Sequence, residues 1–292
     1  MNKILRNEFC TAEITNVGAE LVSLKKLTDN FEYIWSGDKK FWTGHAPVLF
    51  PIVCALKNGE TKIDGVSYKI GNHGFARKSE FELSAENETR VIYRLSSNKD
   101  TLAMYPFQFN LYITYTLSQN KLTIEYKVEN VDEKIIYFQI GTHPGFNCPM
   151  AHETEFADYY IEFEYPEKLE RLYLDSANLI ISGKSKKLEL KSPKLLPLNH
   201  ELFNEGALAF KNLKSQKVSL KSDKTSKEVI LTYSNLPHMG IWQPKDAPFV
   251  CIEPWHGLAD TDNFSGEFRE KELMISLAKE TEFICSYTIE IN

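Results

Sequence analysis

The sequence predicts a mostly β protein, a large sandwich or barrel with long loops, and three observations carry that expectation. The first is strict alternation. Phe107, Phe109, Leu111, Ile113, Tyr115 and Leu117 occupy every second position, with Gln108, Asn110, Tyr112, Thr114 and Thr116 between them. Successive side chains of a strand point to opposite faces, so this period buries one face and solvates the other. The second is composition: 18 Phe and 14 Tyr help bring aromatic residues to 12% of the chain. Such rings suit a pleated, half-buried surface. The third is the poverty of helical pattern. No segment keeps an i, i+3, i+4, i+7 apolar stripe for more than a few turns.

Along the chain, a short strand is expected at 91–95, followed by the long one at 107–117. Ser118-Gln119-Asn120-Lys121 supplies turn chemistry, and Leu122, Ile124, Tyr126 and Val128 resume the alternation, so 107–128 reads as a long antiparallel hairpin. An apolar strand follows at 135–140. The segment 156–173 (FADYYIEFEYPEKLERLY) is interrupted by Pro166 and rich in β-formers, which argues against a helix. Residues 183–199 (GKSKKLELKSPKLLPLN) read as an exposed surface loop rather than a domain linker, because strand pattern of the same character resumes beyond them. Short strands are expected at 218–220 and 229–233. Phe283, Cys285, Tyr287, Ile289 and Ile291 close the chain with a further alternation. There is no internal repeat, and residues 1–292 are expected to form one domain.

Composition narrows the function classes. At 292 residues, 42% hydrophobic and 25% charged, the chain is long and apolar enough to bury a sizeable core. Basic residues number 34 and acidic residues 40, a net charge of −6, which argues against a nucleic-acid or anionic-membrane binder. Arg6 and Glu8 interrupt any apolar leader, and the longest apolar run, 47–56, holds two prolines and is too short to span a bilayer. The five cysteines (Cys10, Cys54, Cys148, Cys251 and Cys285) are odd in number, widely spaced and without a CxxC pair. They read as buried free thiols in a reducing compartment, so the expected location is cytoplasmic.

Three segments break the scaffold-like alternation. In Gly71-Asn72-His73-Gly74-Phe75-Ala76-Arg77, two glycines let the backbone turn tightly around a His, and an Arg with its planar fork of donors follows. A Gly-rich turn with a surface Arg is the plain alternative. A phosphate cradle is disfavoured because no P-loop Lys-Ser/Thr and no helix follow. In Ile140-Gly141-Thr142-His143-Pro144-Gly145-Phe146-Asn147, the proline biases His143 toward extended backbone at the mouth of a strand, either to meet a ligand or to cap a sheet edge. In Pro248-Phe249-Val250-Cys251-Ile252-Glu253-Pro254-Trp255-His256, a strand buried on both faces ends in a carboxylate that shares a face with Phe249 and Cys251. Such a Glu is costly unless paired. It is either a structural ion-pair member or a base whose pKa burial has raised toward neutrality. Segments so far apart suit a site assembled where several strands converge. The tryptophans Trp35, Trp42, Trp242 and Trp255 suit stacking on the C–H faces of a sugar, and core packing explains each of them equally well.

At these segments the sequence resembles the aldose 1-epimerase (galactose mutarotase-like) family, in its shorter bacterial branch related to hexose-6-phosphate mutarotases and lactose-operon-associated proteins. The matching motifs are PVLFP at 47–51, HGFAR at 73–77, THPGFN at 142–147 and CIEPW at 251–255, in family order over roughly 5–290. The resemblance implies an all-β fold, one large antiparallel β-supersandwich. It also implies interconversion of the α and β anomers of an aldose or aldose phosphate, with no cofactor and no metal. By the same resemblance Glu253 is the base and His143 the acid, while His73 and Arg77 bind the sugar hydroxyls. Asn72 and Trp255 complete the expected sugar-binding set. The expected partner is a small-molecule sugar, with no nucleic acid and no membrane, and the expected state is a monomer or weak homodimer.

The chain departs from the longer galactose mutarotases in two places. An acidic sugar-binding residue between His143 and Glu253 has only positional candidates, Asn204-Glu205 and Asp223. Lys57 stands in the region where the longer branch has an Arg. Three rival readings remain at this level. One is a non-catalytic sugar-binding protein of the same fold. The second is a glycoside hydrolase or lyase, which wants two carboxylates. The third is a metal site made of His73, His143 and Glu253. Among the other histidines (His45, His152, His200, His238 and His256), His256 is a candidate for the same cleft.

Overall fold

The computed structural model describes residues 2–188, 190 and 192–292. Almost every element is a strand, and the strands pair antiparallel in two large sheets. The expected hairpin forms the middle of a nine-stranded sheet. Phe109–Ser118 pairs with Lys121–Asn130 through Leu117↔Leu122, Tyr115↔Ile124 and Ile113↔Tyr126, with Gln119 at φ 53° in the turn. Glu282–Ile291 lies on the hairpin's other side, with Tyr287 opposite Ile124. Cross-strand aromatic and branched pairs of this kind are the unit of sheet stabilisation. Ile113, Tyr115, Ile124 and Tyr287 are all buried, which is the face the alternation picked out.

An eight-stranded sheet packs over that face. Its central strand is Phe249–His256, flanked by His238–Trp242 on one side and by Ile140–Thr142 and Gly145–Asn147 on the other. Val250 and Ile252 of the central strand share one core with Ile113, Ile124 and Tyr287 of the opposite sheet. Phe249, Cys251, Glu253 and Trp255 therefore point away from that core, to the outer face. A three-stranded sheet (Lys3–Arg6, Cys10–Ile14, Leu21–Lys26) adds Leu5, Ile14 and Leu24 to the same core. The architecture is thus a large β-sandwich rather than a closed barrel. All five cysteines are free and buried, and no helix among the described residues is long and apolar enough to cross a membrane.

The structure corrects several boundaries. The 135–140 strand is two strands in different sheets: Ile136–Phe138 pairs with Ile275–Leu277, and Ile140–Thr142 joins the eight-stranded sheet. Gln139, fully buried, makes the step. Its side-chain carbonyl accepts from the Val53 amide (3.2 Å) and its side-chain amide donates to the Glu272 carbonyl (2.8 Å), so that it satisfies a backbone group in each of two neighbouring loops. The surface loop expected over 183–199 begins as strand instead. Ile180–Lys187 is an edge strand paired with Glu170–Leu174, and Leu195–Pro197 is an edge of the other sheet. Glu189 and Lys191 of that stretch lie outside the described residues. Lys184, Lys186 and Lys187 are exposed on the edge, so no buried alternation marks the strand, and lysine there discourages pairing with a second sheet. A six-residue helix, Lys99–Met104, went without signal because it is so short. Asn98 caps it, its side chain accepting from the amides of Asp100 and Thr101.

Ile124→Ala should cost about 2–5 kcal/mol, the usual penalty for emptying a closed core position. Thr123→Ala on the solvated face of the same strand should cost well under half of that. Urea unfolding of the two variants checks the assignment of faces, and equal losses would contradict it.

Candidate active site

Glu253 and His143 face each other because a strand pairing is carried across a break. Ile140↔His256 and Gly141↔Trp255 pair on one side of it, and Gly145↔Cys251, Phe146↔Val250 and Asn147↔Phe249 on the other, in the same register. His143 therefore falls directly opposite Glu253. Pro144 and Pro254 have no N–H to give, so the regular ladder lapses at this point, with the Ile252 amide donating to the Pro144 carbonyl (3.3 Å). Directly opposed residues on one face lie in side-chain contact. Here His143 Nε2 is 3.3 Å from Glu253 Oε2. The two residues are 7% and 2% exposed.

Trp255 fixes the floor beneath them. Its indole covers strand positions that must be glycine: a Cβ at Gly240 would sit 2.2 Å from the ring and one at Gly141 2.7 Å. The indole N–H donates to the Thr142 carbonyl (3.2 Å). At 2% exposure Trp255 lines the hollow as a buried plate and offers little open face for stacking. The open faces come from Trp42 and Trp242, both half-buried. Trp42 stacks on the His143 imidazole (centroids 4.8 Å, 29°), and Trp242 meets it edge-on (5.6 Å, 78°). Both were visible as tryptophans in the sequence. Only the fold brings residue 42, from a loop, against residue 143.

His73 enters from the HGFAR turn. It adopts φ 64°, and the following Gly74 has φ 74°, with its backbone so close to the Phe50 carbonyl that a Cβ would lie 2.1 Å from the oxygen. Glycine is obligatory there. The Cys54 amide donates to His73 Nδ1 (3.1 Å), so a neutral His73 carries its proton on Nε2. Its ring meets His143 edge-on at 5.4 Å. Arg77 follows in the turn Ala76–Lys78, half-buried, and its guanidinium makes no ion pair or hydrogen bond among the described residues. Asn72 is exposed at the rim. The hollow that these side chains share measures about 230 Å³, and Leu174, Asn178 and Ala207 form its far wall. All six residues expected at the site reach it.

Burial sets the protonation. It pushes the Glu253 carboxyl well above its ordinary range. Burial pushes His143 down, and the Arg77 charge pushes it further. His73 is driven well below its ordinary value by burial, by His143 and by Arg77. Near neutrality the Glu253–His143 pair therefore holds one proton between two groups, and His73 is neutral.

Other expected positions fall elsewhere. Asp223 accepts from the Tyr160 hydroxyl (2.8 Å) on the nine-stranded sheet, and Glu205 sits beside Arg171, so neither supplies an acid to the hollow. Asn204 is in the same outlying turn as Glu205. Among the described residues Glu253 is the only carboxylate lining the hollow, and on the far wall the polar group is Asn178, which carried no sequence signal. Lys57 does not line it: its amide donates to Asp260. His256 lies on the core-facing side of its strand with Nδ1 3.1 Å from the Asn235 carbonyl, so it is not a cleft residue. The grouping of metal-type ligands found among the described residues is His143, Cys251 and Glu253, not the His73 set.

Comparison with known proteins places the chain in a family. The sequence profile of the aldose 1-epimerase family matches residues 3–276. The chromosomal Protein LacX of Lactococcus lactis subsp. lactis is 34% identical over 269 residues, 87% of each chain. A galactose mutarotase related enzyme from Lactobacillus acidophilus is 32% identical and superposes with a TM-score of 0.95, covering 100% of this chain and 97% of that one. A galactose mutarotase-like protein from Lactobacillus casei is 30% identical with a TM-score of 0.94, covering both chains completely. With a family profile spanning nearly its whole length and full-length structural relatives of the same fold, the chain belongs to the aldose 1-epimerase family.

Proposed function

We propose that this protein is a mutarotase that interconverts the α and β anomers of an aldose or aldose phosphate, with residues 1–292 acting as one catalytic domain. The observation that carries the reading is the buried Glu253–His143 pair, 3.3 Å apart on the wall of the hollow. Ring opening moves protons at two oxygens borne by the same carbon, the C1 hydroxyl and the ring oxygen. An acceptor and a donor in side-chain contact are on the right scale to address both at once.

The proton count closes within the pair. In its charge-separated form, Glu253 is a carboxylate and His143 an imidazolium. Glu253 takes the proton of the C1 hydroxyl while His143 gives its proton to the ring oxygen, and the C1–O bond of the ring breaks. What remains is the open aldehyde with both side chains neutral. After rotation about the C1–C2 bond, His143 takes the proton back from the chain hydroxyl, whose oxygen attacks the other face of C1. Glu253 returns its proton to the former carbonyl oxygen, now the C1 hydroxyl of the other anomer. Both protonation forms of the pair hold the same single proton. The shared proton thus passes from His143 to Glu253 by way of the sugar and back again.

The remaining groups orient the ring. His73 presents Nε2–H and Arg77 its unengaged guanidinium to sugar hydroxyls, with Asn72 at the rim. Trp42 and Trp242 offer half-exposed faces for the C–H side of a pyranose. Trp255 acts from beneath, through its indole N–H and its packing. A glycosidase reading is disfavoured because, among the described residues, Glu253 stands without a second carboxylate in the hollow. A pure binding protein would need Arg77 and the tryptophans but not a buried acid–base pair held in contact.

Exchange NMR on glucose, galactose and their 6-phosphates tests the reading. Glu253→Gln and His143→Asn should each slow anomer exchange by about 10²–10⁴-fold, with sugar binding to Glu253→Gln largely retained. Exchange at the buffer rate for every aldose with wild-type protein would leave only the binding function standing. The pH profile is a second check. Burial pushes acquisition of a second proton by the pair to low pH and loss of its one proton to high pH. Activity should therefore stay flat through neutrality and fall on both sides. A rate that follows a single ordinary His titration near pH ~6.5 would contradict the shared-proton pair.

A further inference from the structure

We propose that Cys251 completes, with Glu253 and His143, an inhibitory site for a thiophilic divalent cation, of which Zn²⁺ and Cd²⁺ are the natural probes. Cation binding itself stands on the geometry alone, and the inhibition rests on the mutarotase reading above. Cys251 and Glu253 are two residues apart on the outer face of one strand, and the preserved register sets His143 across from Glu253. One sulfur, one nitrogen and one oxygen ligand atom result, all buried and all within 4.8 Å of one another. That mixture is the donor set of a borderline-soft cation rather than of Mg²⁺ or Ca²⁺. Glu253 Oε2, one of those ligand atoms, and His143 Nδ1 are buried without a hydrogen-bond partner among the described residues. The hollow in front of the pair supplies both access and an open fourth position for water.

The edge of a zinc tetrahedron is roughly 3.5 Å from its bond lengths. The His143–Glu253 contact already matches it at 3.3 Å. The widest gap, within 4.8 Å, must close by up to about 1.3 Å, and the longer bonds of Cd²⁺ ask for less. The charge balance favours a dication. Binding expels the thiol proton of Cys251 and the single proton held by the pair. Two positive charges leave as two arrive, so the buried cluster stays neutral and nothing is oxidised or reduced. Filling the site removes both the acid and the base from service. Cys251 has no part in the proton transfers; it packs with Trp35 and Phe249.

Cd²⁺ titration of the whole protein, followed by the ultraviolet cadmium–thiolate band, should show one equivalent bound by wild type and none by Cys251→Ala. Cadmium NMR of wild type should report a single sulfur ligand in a mixed sphere. Zn²⁺ should inhibit anomer exchange in wild type reversibly, with activity restored by a chelator. Cys251→Ala should keep its basal rate within about twofold and, having lost a direct ligand, need at least the about 10–100-fold more Zn²⁺ that loss of an outer-shell partner alone costs. Cys251→Ser serves if the alanine variant does not fold. No thiolate band in wild type, an all-oxygen cadmium shift, or equal Zn²⁺ sensitivity of wild type and variant overturns the proposal. If wild type has no exchange activity, the function proposed above fails, and the cadmium band still decides the site.

Discussion

One strand pairing holds the site together. The central strand Phe249–His256 is zipped to Ile140–Thr142 at one end and to Gly145–Asn147 at the other, and the two zippers keep a common register across the prolines between them. A slip of one residue would turn Glu253 into the core and leave His143 facing a neighbour on the wrong side of the sheet. Because side-chain period and pairing register are coupled, an imidazole and a carboxyl 110 residues apart in sequence meet in contact without any local motif. The prolines add to this, since their missing amides leave His143 outside the ladder yet aligned by it.

Holding that pair out of water works against stability, since ionised groups in such a place forfeit several kcal/mol each of solvation, roughly. The protein meets this by leaving only one proton between the two groups and by surrounding them with rings. Trp42, Trp242 and His73 fix the plane of the His143 imidazole from three directions, while Trp255 lies below Glu253. Rings orient without demanding further charged partners, which matters where the Arg77 guanidinium already biases the field against imidazolium. Gly74, Gly141 and Gly240 belong to the same solution, because each lets backbone or indole approach where a Cβ would not fit.

Much of the body was legible in the sequence, because burial on one face of a paired strand writes itself as alternation. The 109–130 hairpin and the 282–291 strand carry it plainly, and the four apolar residues Phe249 to Ile252, buried on both faces, announce a central strand by their continuity. Glu253 stood out because a carboxyl is foreign to such a run. Edge strands escaped: at Ile180–Lys187 both faces see solvent, so there was no hydrophobic period to read. The sheet switch at Gln139 escaped because its reason is hydrogen-bonding to Val53 and Glu272, both remote in sequence. Trp42 and Asn178 reach the hollow from connecting loops, where position depends on the rest of the fold and not on local pattern.

The central strand also divides labour at single-residue resolution. Val250 and Ile252 face inward and knit the two sheets together, while on the outer face Cys251 packs with Trp35 and Phe249 and Glu253 opens into the hollow. Inward packing and outward site-building thus alternate along one strand yet touch disjoint neighbourhoods. Drift in the outward set can reshape the hollow with little disturbance to the inward set. A lineage built on this strand is free to remodel its site while its scaffold persists.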